Sequence, residues 1–357
     1  MKIVIVGGHL SPALAVIEKL KGEEVFYIGR KHVFEGDKAL SLEYQELEKL
    51  NIPFFNLKTG RLQRKFTKHT ISSLAKIPFG FIQSLTILNK IKPDVVLGFG
   101  SYLFLPVALS AKVLNIPVIV HEQTLEAGFT NKLVSKFAKR ICISWRSSED
   151  FFPKEKTVLT GNPLRQEIIN INNDKQIREN SIKTIYITGG GAGAHALNLL
   201  VEKTSDKLLE KYSIIHQTGW SEVYRDFERL DKNKNKNYKC QKFLSAKQAA
   251  LAIQKADLVV GRSGINTVTE LIYLSKPAFL IPIPVGQNNE QLKNAKFIKD
   301  LGLGEYAEQY LLTPDLFISK IELMLKNINS YSVKENLISE DAAEKIEQVL
   351  KDVSKKA

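Results

Sequence analysis

The sequence has 357 residues, is 44% hydrophobic and carries a formal net charge of +13. This length predicts about two domains, and the basic balance indicates a partner with negative charge, such as nucleic acid, anionic lipid or a phosphorylated ligand. The two cysteines, Cys142 and Cys240, stand far apart and outside any CxxC pattern, which argues against a disulfide framework and a zinc site. No stretch reaches the ~18 uninterrupted apolar residues of a membrane-spanning helix.

Short apolar runs rich in valine and isoleucine alternate with helical patterns along the chain. Such runs predict strands that are buried on both faces, as in a parallel sheet covered by helices. The alternation starts afresh at about Lys183, after the polar stretch NINNDKQIRENSIK. In chain order the predicted strands are KIVIV (2–6), EVFYIG (24–29), DVVLGFG (94–100), VIVHEQ (118–123), RICISW (140–145), KTIYITGG (183–190), SIIHQTG (213–219), DLVVGRSG (257–264) and AFLIPIP (278–284).

This restart predicts two Rossmann-like domains that are joined near residues 158–182. The last helical pattern, roughly Ser339 to Val353, is expected to pack back on the first domain. The expected divisions are an N-terminal domain (1–160), a C-terminal domain (161–335) and the returning helix (336–357).

Each domain opens with a strand that runs into a glycine turn, VGGH (6–9) in the first and GGGAGA (189–194) in the second. Glycines there let the backbone approach a phosphate, and the following helix directs free N–H groups and its positive dipole end toward it. A tight turn of any α/β domain explains either motif alone equally well. A dinucleotide site would need an acid at the end of the second strand, where Arg30 and Gln217 stand instead. Nicotinamide binding is therefore disfavoured.

Nine short motifs follow one another along the chain: GGHLSPALA (7–15), VLGFGSY (96–102), IPVIVHEQ (116–123), AGFTNK (127–132), GNPLR (161–165), GGGAGA (189–194), IHQTG (215–219), RSGINTVTE (262–270) and EQLKNA (290–295). Together they resemble the MurG family, whose members move N-acetylglucosamine from its UDP donor to undecaprenyl-diphosphate-linked N-acetylmuramyl-pentapeptide. The resemblance spans residues 3 to about 310. It implies an α/β fold of the GT-B type, with two Rossmann-like domains whose parallel sheets face each other across a cleft. It also implies inversion at the sugar carbon without a metal or cofactor, and the sequence contains no Asp-x-Asp motif.

The resemblance assigns the UDP donor to the second domain. Glu270 would accept hydrogen bonds from both ribose hydroxyls, Arg165 would face the diphosphate, and Gln291 would bind sugar hydroxyls. The structural alternatives are a helix-dipole carboxylate for Glu270, a surface arginine or an interdomain ion pair for Arg165, and a helix-surface glutamine for Gln291. Leu244 would offer its backbone to the uracil edge while its side chain packs. The other implied donor contacts are Gly191, Ile265, Asn266, Thr267, Val268 and Thr269.

The acceptor would bind the first domain. His9, behind two glycines at a strand end, would act as a base toward the acceptor hydroxyl or as a donor to the acceptor diphosphate. A lone histidine also has a purely structural interpretation. The implied substrate contacts beside it are Gly7, Gly8 and Thr124. Weaker candidates near the same cleft are Glu122 and Tyr102.

The chain departs from the family pattern at several places. The first glycine loop is short, with Val6 where the family has threonine, and Thr124 stands where asparagine is usual. The GGGAGA loop lacks the family's serine and glutamine, so phosphate contacts there would come from backbone N–H groups. Glu290 stands where many members have a neutral or basic residue. These changes leave the donor site largely intact and leave the identity of the acceptor open.

Residues 49–93 contain nine basic residues, five phenylalanines and no acid. Such a segment suits an anionic bilayer, where each basic residue contributes ~1 kcal/mol and apolar side chains enter the interface. A solvated face that covers a core is the alternative, and nucleic acid is a rival partner that no binding motif supports. We therefore expect a peripheral enzyme on the cytoplasmic face of the membrane and no nucleic-acid partner. The residues concerned are Lys49, Lys58, Arg61, Arg64, Lys65, Lys68, Lys76, Lys90, Lys92, Phe54, Phe55, Phe66, Phe79 and Phe81.

Three functions remain open at this point. The leading hypothesis is inverting, metal-independent transfer of N-acetylglucosamine from UDP-N-acetylglucosamine to lipid-linked muramyl-pentapeptide in peptidoglycan synthesis. The second keeps a GT-B enzyme and a UDP-sugar but uses another membrane lipid acceptor, for example diacylglycerol. The third is a non-catalytic nucleotide-sugar or membrane-binding module, which the joint presence of Arg165, Glu270 and Gln291 disfavours.

Overall fold

The computed structural model describes residues 1–32, 40–60, 70–173, 182–284, 289–333 and 337–355. The chain divides into two units, each built on its own parallel sheet. Unit 1 comprises Met1–Leu164 and Ser339–Ala357, and unit 2 comprises Arg165–Ile338. Within the described residues, no helix is both long enough and apolar enough to cross a membrane.

Unit 1 is a parallel sheet with helices on both faces. Its strands are β1 (Lys2–Val6), β2 (Glu24–Gly29), β3 (Phe54–Asn56), β4 (Val95–Gly98), β5 (Val118–Glu122), β6 (Arg140–Ile143) and β7 (Thr157–Leu159). They lie in the order β3-β2-β1-β4-β5-β6-β7. Its helices are α1 (Leu10–Lys19), α2 (Leu42–Lys49), α3 (Thr70–Ile91), α4 (Phe104–Val113), α5 (Phe129–Ser135) and, at the end of the chain, α13 (Ala342–Ser354).

Unit 2 repeats this plan with a smaller sheet. Its strands are β8 (Thr184–Thr188), β9 (Ser213–Gln217), β10 (Tyr238–Gln241), β11 (Leu258–Gly261), β12 (Ala278–Leu280) and β13 (Gly304–Tyr306), in the order β10-β9-β8-β11-β12-β13. Its helices are α6 (Gln166–Asn173), α7 (His195–Leu209), α8 (Asp226–Leu230), α9 (Ala246–Lys255), α10 (Ile265–Tyr273), α11 (Glu290–Asp300) and α12 (Pro314–Lys326).

The central strands explain why the apolar runs are continuous. In β1, Ile3 and Ile5 point into one core, whereas Val4 and Val6 point into a second core on the other face of the sheet. All four side chains are fully buried. Successive residues of a strand face opposite sides, so a sheet covered on both sides needs an apolar residue at every position. The prediction of two parallel-sheet Rossmann-like domains is confirmed.

Four short strands, β3, β7, β10 and β13, were not predicted from the sequence. Each lies at an outer edge of its sheet. Each has only three or four residues, most of them half-buried or exposed. An edge strand has a partner on one side only and less cover from helices, so its sequence needs no continuous apolar run.

Helix α13 belongs to the core of unit 1, although unit 2 separates it from the rest of that unit in the chain. Ile346 and Leu350 pack in the same core as Ile5. The Lys19 ammonium of α1 lies 2.7 Å from the Glu344 carboxylate. The chain therefore leaves unit 1 after Leu164 and returns to complete its core.

In each sheet, the direction of the strand order changes beside the first strand of the unit. Strand β1 lies between β2 and β4, and β8 lies between β9 and β11. The loops that follow such strands diverge and leave a crevice at the carboxyl ends, where open α/β sheets bind their ligands. The two glycine turns follow β1 and β8, so each unit has one candidate site at this edge of its sheet.

Candidate active site

In unit 2, the glycine turn after β8 leads directly into the N-terminus of α7. Gly193 has a φ angle of 86°, and a Cβ atom there would lie 2.3 Å from the carbonyl oxygen of Thr218. Only glycine fits this close approach between neighbouring turns. Gly191 lies in the middle of the turn, and the N-cap residue, Ala194, has no side-chain acceptor. The first backbone N–H groups of α7 are therefore suited to bind a phosphate.

Arg165 and Glu270, which the sequence assigned to separate parts of the donor, form a bidentate ion pair. The Arg165 Nε atom donates to Glu270 Oε1 at 2.8 Å, and Nη2 donates to Oε2 at 2.9 Å. Glu270 is buried and Arg165 is half-buried. Burial alone would lower the pKa of Arg165, but the carboxylate outweighs it and raises that pKa. The pair occupies two of about four acceptor positions on the carboxylate, so Glu270 retains capacity for ribose hydroxyls.

Tyr186 and Gln217 support this site and were not identified from the sequence. The buried Tyr186 hydroxyl donates to Gln217 Oε1 at 3.3 Å, and Gln217 Nε2 donates to the carbonyl oxygen of Gly190 at 3.0 Å. Burial, with a contribution from Glu270, raises the pKa of Tyr186 to about 12. The two side chains thus connect β8 to the glycine turn. Sequence reasoning missed them because a tyrosine and a glutamine within strands have a purely structural interpretation.

Gln291 lies at the start of α11 and is joined to the loop that precedes α10. The Ser263 hydroxyl donates to the Gln291 carbonyl oxygen at 2.7 Å. The Gln291 side-chain oxygen accepts from the backbone N–H of Ile283 at 3.1 Å. Because this bond occupies the side-chain oxygen, the predicted contact of Gln291 to sugar hydroxyls would come from its amide nitrogen. The structure thus brings Gln291 next to the segment that carries Glu270.

The remaining predicted donor residues divide by burial. Those with buried side chains are Leu244, Ile265, Val268 and Thr269. Those with half-buried side chains are Asn266 and Thr267. Leu244, Ile265 and Val268 have apolar side chains and can offer a ligand polar contacts only through the backbone. The Thr269 hydroxyl already donates to the Ile265 carbonyl oxygen at 2.9 Å. Leu244 precedes Ser245, whose side chain caps α9 together with Gln248 in a capping box, so the backbone at Leu244 is held in a defined conformation.

In unit 1, the glycine turn after β1 packs against a carboxylate that sequence reasoning missed. The Glu43 carboxylate lies where a Cβ atom of Gly7 would be, and it accepts from the Tyr27 hydroxyl. Burial raises the pKa of Glu43. A Cβ atom on Gly8 would lie 2.8 Å from the Phe99 carbonyl oxygen, so the backbone of the turn approaches the loop after β4 closely. A glutamate on a polar helix reads as solvent-exposed, which is why the sequence pattern did not single out Glu43.

His9 is the N-cap residue of α1 and makes no side-chain cap. Its side chain is half-buried, and burial lowers its pKa to about 4. The imidazole is therefore neutral at pH 7 and able to accept a proton, although a group with so low a pKa is a weak base. A bound diphosphate would raise this pKa, because negative charge favours the imidazolium.

Glu122 and Thr124, both predicted near the acceptor, bind each other. The buried Glu122 carboxylate accepts from the Thr124 backbone N–H (3.0 Å) and hydroxyl (2.6 Å). It also accepts from the Gly128 N–H (2.7 Å) and the Asn131 side chain (2.9 Å). These bonds order the loop between β5 and α5. Glu122 is thus an organising residue, and the Thr124 hydroxyl points back into its own loop. Tyr102, the other weak candidate, lies under the Arg30 guanidinium, 5.7 Å from the ring centroid.

Strand β5, the loop that follows it and helix α5 contain buried polar atoms that have no partner among the described residues. They are His121 Nδ1, Asn131 Oδ1 and both amide atoms of Gln123. Burial lowers the pKa of His121 to about 4, so the ring is neutral at pH 7. Buried polar atoms in folded proteins are normally hydrogen-bonded to protein, water or ligand. The sequence offered no sign of this cluster, since each residue alone has an ordinary structural role.

The carboxyl edges of the two sheets offer different chemical groups to a ligand. Unit 2 offers helix N–H groups for an anion and a carboxylate–guanidinium pair beside them. Unit 1 offers a glycine turn, a neutral histidine and unpartnered polar atoms. In the described residues, no three histidine, cysteine, aspartate or glutamate side chains cluster as metal ligands do. Two Rossmann-like units with such edges define a glycosyltransferase of the GT-B class.

Comparisons with known proteins identify the family. Residues 6–143 match the glycosyltransferase family 28 N-terminal domain, and residues 184–351 match the glycosyltransferase family 28 C-terminal domain. The chain is 31% identical to the UDP-N-acetylglucosamine--N-acetylmuramyl-(pentapeptide) pyrophosphoryl-undecaprenol N-acetylglucosamine transferase of Halalkalibacterium halodurans, over 99% of this chain and 100% of that protein. It is 32% identical to the protein of the same name from Bacillus cytotoxicus, over 98% of this chain and 97% of that protein. The chain belongs to the MurG family of glycosyltransferases, as its motifs predicted.

Solved structures agree with this assignment. The crystal structure of Acinetobacter baumannii MurG has a TM-score of 0.72 and 26% identity, and the match covers 98% of this chain and 99% of that one. The UDP-GlcNAc 2-epimerase of Neisseria meningitidis matches with a TM-score of 0.67 at 15% identity, over 99% of this chain and 100% of that one. This second likeness concerns the fold alone.

Proposed function

We propose that this enzyme transfers N-acetylglucosamine from UDP-N-acetylglucosamine to undecaprenyl-diphosphate-linked N-acetylmuramyl-pentapeptide, a step of peptidoglycan synthesis. The proposal rests on one observation above all. The Arg165–Glu270 pair lies on a unit whose glycine turn is suited to phosphate, in a chain that matches transferases of this name from end to end. The groups at the carboxyl edge of unit 2 fit a nucleoside diphosphate: Glu270 binds the ribose, and Arg165 with the N-terminus of α7 balances the diphosphate charge.

The reaction is a single displacement. An acceptor hydroxyl attacks the anomeric carbon, the bond from that carbon to the β-phosphate oxygen breaks, and UDP leaves with the bonding electrons. A single displacement inverts the anomeric carbon. The hydroxyl proton passes to a base, for which His9 is our candidate because its imidazole is neutral at pH 7. The alternative role of His9 is to bind the acceptor diphosphate as an imidazolium, once that ligand has raised its pKa.

A second candidate function keeps the donor and changes the acceptor to another membrane lipid. It is motivated by the short first glycine turn after Val6 and by Thr124, whose hydroxyl bonds to Glu122 instead of facing outward. Transfer assays with a panel of UDP-sugars and lipid acceptors separate the two functions. We expect product only with UDP-N-acetylglucosamine and the muramyl-pentapeptide lipid, and activity that survives EDTA. Efficient transfer to diacylglycerol, or loss of activity on chelation with rescue by magnesium, would overturn this proposal.

We further propose that unit 1 binds the cytoplasmic face of the membrane through a face formed by α3 and α4. Phe79 and Ile82 of α3 are 62% and 61% exposed, and Val113 at the end of α4 is 63% exposed. The Ser110 hydroxyl donates to the Phe81 carbonyl oxygen at 3.1 Å, which joins the two helices. Large exposed apolar side chains on adjacent helices are typical of an interaction surface. We call these exposed side chains the α3–α4 face.

Not every residue of the basic segment 49–93 is available to a membrane. Phe54 stacks on Tyr27 in the core, and the Lys49 ammonium lies 2.6 Å from the Glu46 carboxylate. Phe54 therefore supports the fold and is not free for a bilayer, whereas the Lys49 side chain is exposed and its ion pair contributes little. The following members of the segment lie outside the described residues: Arg61, Arg64, Lys65, Phe66 and Lys68.

Vesicle co-sedimentation tests the α3–α4 face. The double variant Phe79→Ser/Ile82→Ser should lose the part of binding to anionic vesicles that resists salt, since apolar insertion is not screened. Leu323→Ser, at an exposed position of α12 in unit 2, is the matched control and should bind as the wild type does. Equal sedimentation of all three proteins would show that this face is an ordinary solvated surface.

A further inference from the structure

Trp220 follows β9 and is 47% exposed. It is one of two tryptophans in the chain, and the other, Trp145, is buried in unit 1. An indole left half in water at the carboxyl edge of a sheet, where ligands of this fold class bind, is a candidate for a ligand contact.

Two backbone hydrogen bonds fix the main chain that carries this indole. The backbone N–H of Trp220 donates to the carbonyl oxygen of Gly191 at 2.9 Å, so the residue is tied to the glycine turn. The preceding Gly219 N–H donates to the carbonyl oxygen of Lys242 at 2.9 Å, which ties the same segment to the loop after β10. Trp220 therefore lies between the turn suited to phosphate and the loop that leads to Leu244.

The side chain adds an aromatic pair. The rings of Trp220 and Phe243 stack with centroids 5.4 Å apart and planes 28° apart. The Lys242 ammonium lies 5.6 Å from the centroid of the indole. Phe243 directly precedes Leu244, whose backbone we assign to the uracil edge. The aromatic pair is thus adjacent to the segment assigned to the base and is held by the turn assigned to the diphosphate.

We propose that Trp220, stacked on Phe243, forms an aromatic wall against the uracil base of the donor. This inference rests on the proposed function, because it assumes that unit 2 binds UDP. Stacking on an aromatic side chain favours any base and leaves the hydrogen-bonding edge free for recognition by backbone groups. Trp220 therefore contributes affinity for the base, and the backbone at Leu244 contributes the choice of base.

Calorimetry with UDP, and competition by pyrophosphate, which has no base, test the wall. Trp220→Ala should raise the Kd for UDP by about tenfold, and Trp220→Phe should restore most of the affinity. The inhibition constant of pyrophosphate should stay unchanged in both variants. Val223→Ala is the matched control, since Val223 lies on the same segment and is 80% exposed; it should bind UDP as the wild type does. In transfer assays, the KM for the donor should rise in Trp220→Ala while kcat changes little.

Each other outcome is decisive. If Trp220→Ala binds UDP as tightly as the wild type, the wall does not exist and the proposed function is untouched. If Trp220→Ala weakens pyrophosphate as much as UDP, Trp220 acts through the glycine turn and not on the base, which overturns the inference. If the wild type fails to bind UDP, the donor assignment itself is wrong.

Discussion

The carboxyl edges of the two sheets differ in how their polar groups are satisfied. In unit 2, Glu270 is bound by Arg165 at both oxygens, and Tyr186 is hydrogen-bonded to Gln217. In unit 1, His121 and Gln123 have buried polar atoms without partners among the described residues. A satisfied site holds its geometry before the ligand arrives, whereas an unsatisfied one reaches its lowest free energy only when water or ligand completes it. The Arg165–Glu270 pair of the donor edge is thus preorganised, although Asn294 Oδ1 in unit 2 also has no partner among the described residues. The cluster around His121 and Gln123 in unit 1 takes its remaining hydrogen bonds from water or ligand.

The largest effect, on the free energy of unfolding, should come from breaking the Arg165–Glu270 ion pair. Arg165→Met leaves the buried Glu270 carboxylate without its counter-ion and should lower the free energy of unfolding by about 3 kcal/mol. The double variant Arg165→Met/Glu270→Leu removes both charges and should recover much of this loss. Urea unfolding of the wild type, the two single variants Arg165→Met and Glu270→Leu, and the double variant measures the effect. If the loss in the double variant equals the sum of the two single losses, the pair does not couple and unit 2 is not preorganised in this way.

Acid should lower the stability of the folded state through the buried histidines of both units. Burial lowers the pKa of His121 to about 4 and of His216 to about 3, both below the ordinary value of about 6.5. The folded state therefore holds these rings neutral while the unfolded state binds protons, so the stability that they contribute is present above pH 6.5 and falls as the pH drops toward the folded pKa.

For His121 this loss should reach about 2 to 3 kcal/mol between pH 7 and pH 4. Urea unfolding across that range measures it, and His121→Gln should flatten the pH dependence by the contribution of one group. His216→Gln is the counterpart in unit 2, where both ring nitrogens are hydrogen-bonded, to Tyr238 and Asn198. An unchanged slope in His121→Gln would mean that water reaches the ring and that the unit 1 cluster is not closed.

Donor binding should weaken when the carboxylate of Glu270 becomes an amide. Glu270→Gln loses charge-assisted acceptance from the ribose hydroxyls, and the free energy of UDP binding should fall by about 2 kcal/mol, measured by calorimetry. Glu228→Gln, at an exposed carboxylate of α8, is the control and should have no effect. UDP affinity that survives in Glu270→Gln would show that Glu270 serves only to hold Arg165.

The smallest effect should come from Glu122→Gln, which tests whether the acceptor and the donor bind to different units. Glu122→Gln places an amide where four donors converge, and the loop between β5 and α5 should lose about 1 to 2 kcal/mol of stability. The KM for the lipid acceptor should rise, while the Kd for UDP should stay as in the wild type because Glu122 belongs to unit 1. Asp150→Asn, at an exposed carboxylate of the same unit, is the control. A change in UDP affinity in Glu122→Gln would contradict the division of substrates between the units.

The central strands were predictable because a sheet covered by helices on both faces requires an apolar residue at every position of the strand. The edge strands β3 and β13 were not predictable, because three half-covered residues leave no such record. The family was predictable from the order of its motifs. The pairing of Arg165 with Glu270, 105 residues apart, was not, because a contact of that separation exists only after the sheet of unit 2 has formed.

The phenylalanines of the basic segment show the same limit. The sequence shows Phe54, Phe55 and Phe79 as equivalent apolar residues among lysines. In the structure, Phe54 and Phe55 pack against Tyr27 and Phe26, whereas Phe79 is exposed on α3. Strand β3 pairs with the sheet, and its phenylalanines pack against residues of the neighbouring strand. Helix α3 packs on the unit with one face only, and Phe79 lies on the other face. Which side chains face outward is decided by tertiary packing that a composition count does not contain.

The return of α13 to unit 1 has a consequence for biosynthesis. A ribosome releases the chain from its N-terminus onward, so every residue of unit 2 emerges before α13 does. Until then, the core around Ile5 lacks Ile346 and Leu350, and apolar surface of β1 and α1 stays open to water. Unit 2 has all its strands earlier and is expected to finish folding first. Unit 1 is therefore synthesised first but completes its fold last. Its open apolar surface makes it the unit to which chaperones of nascent chains are expected to bind.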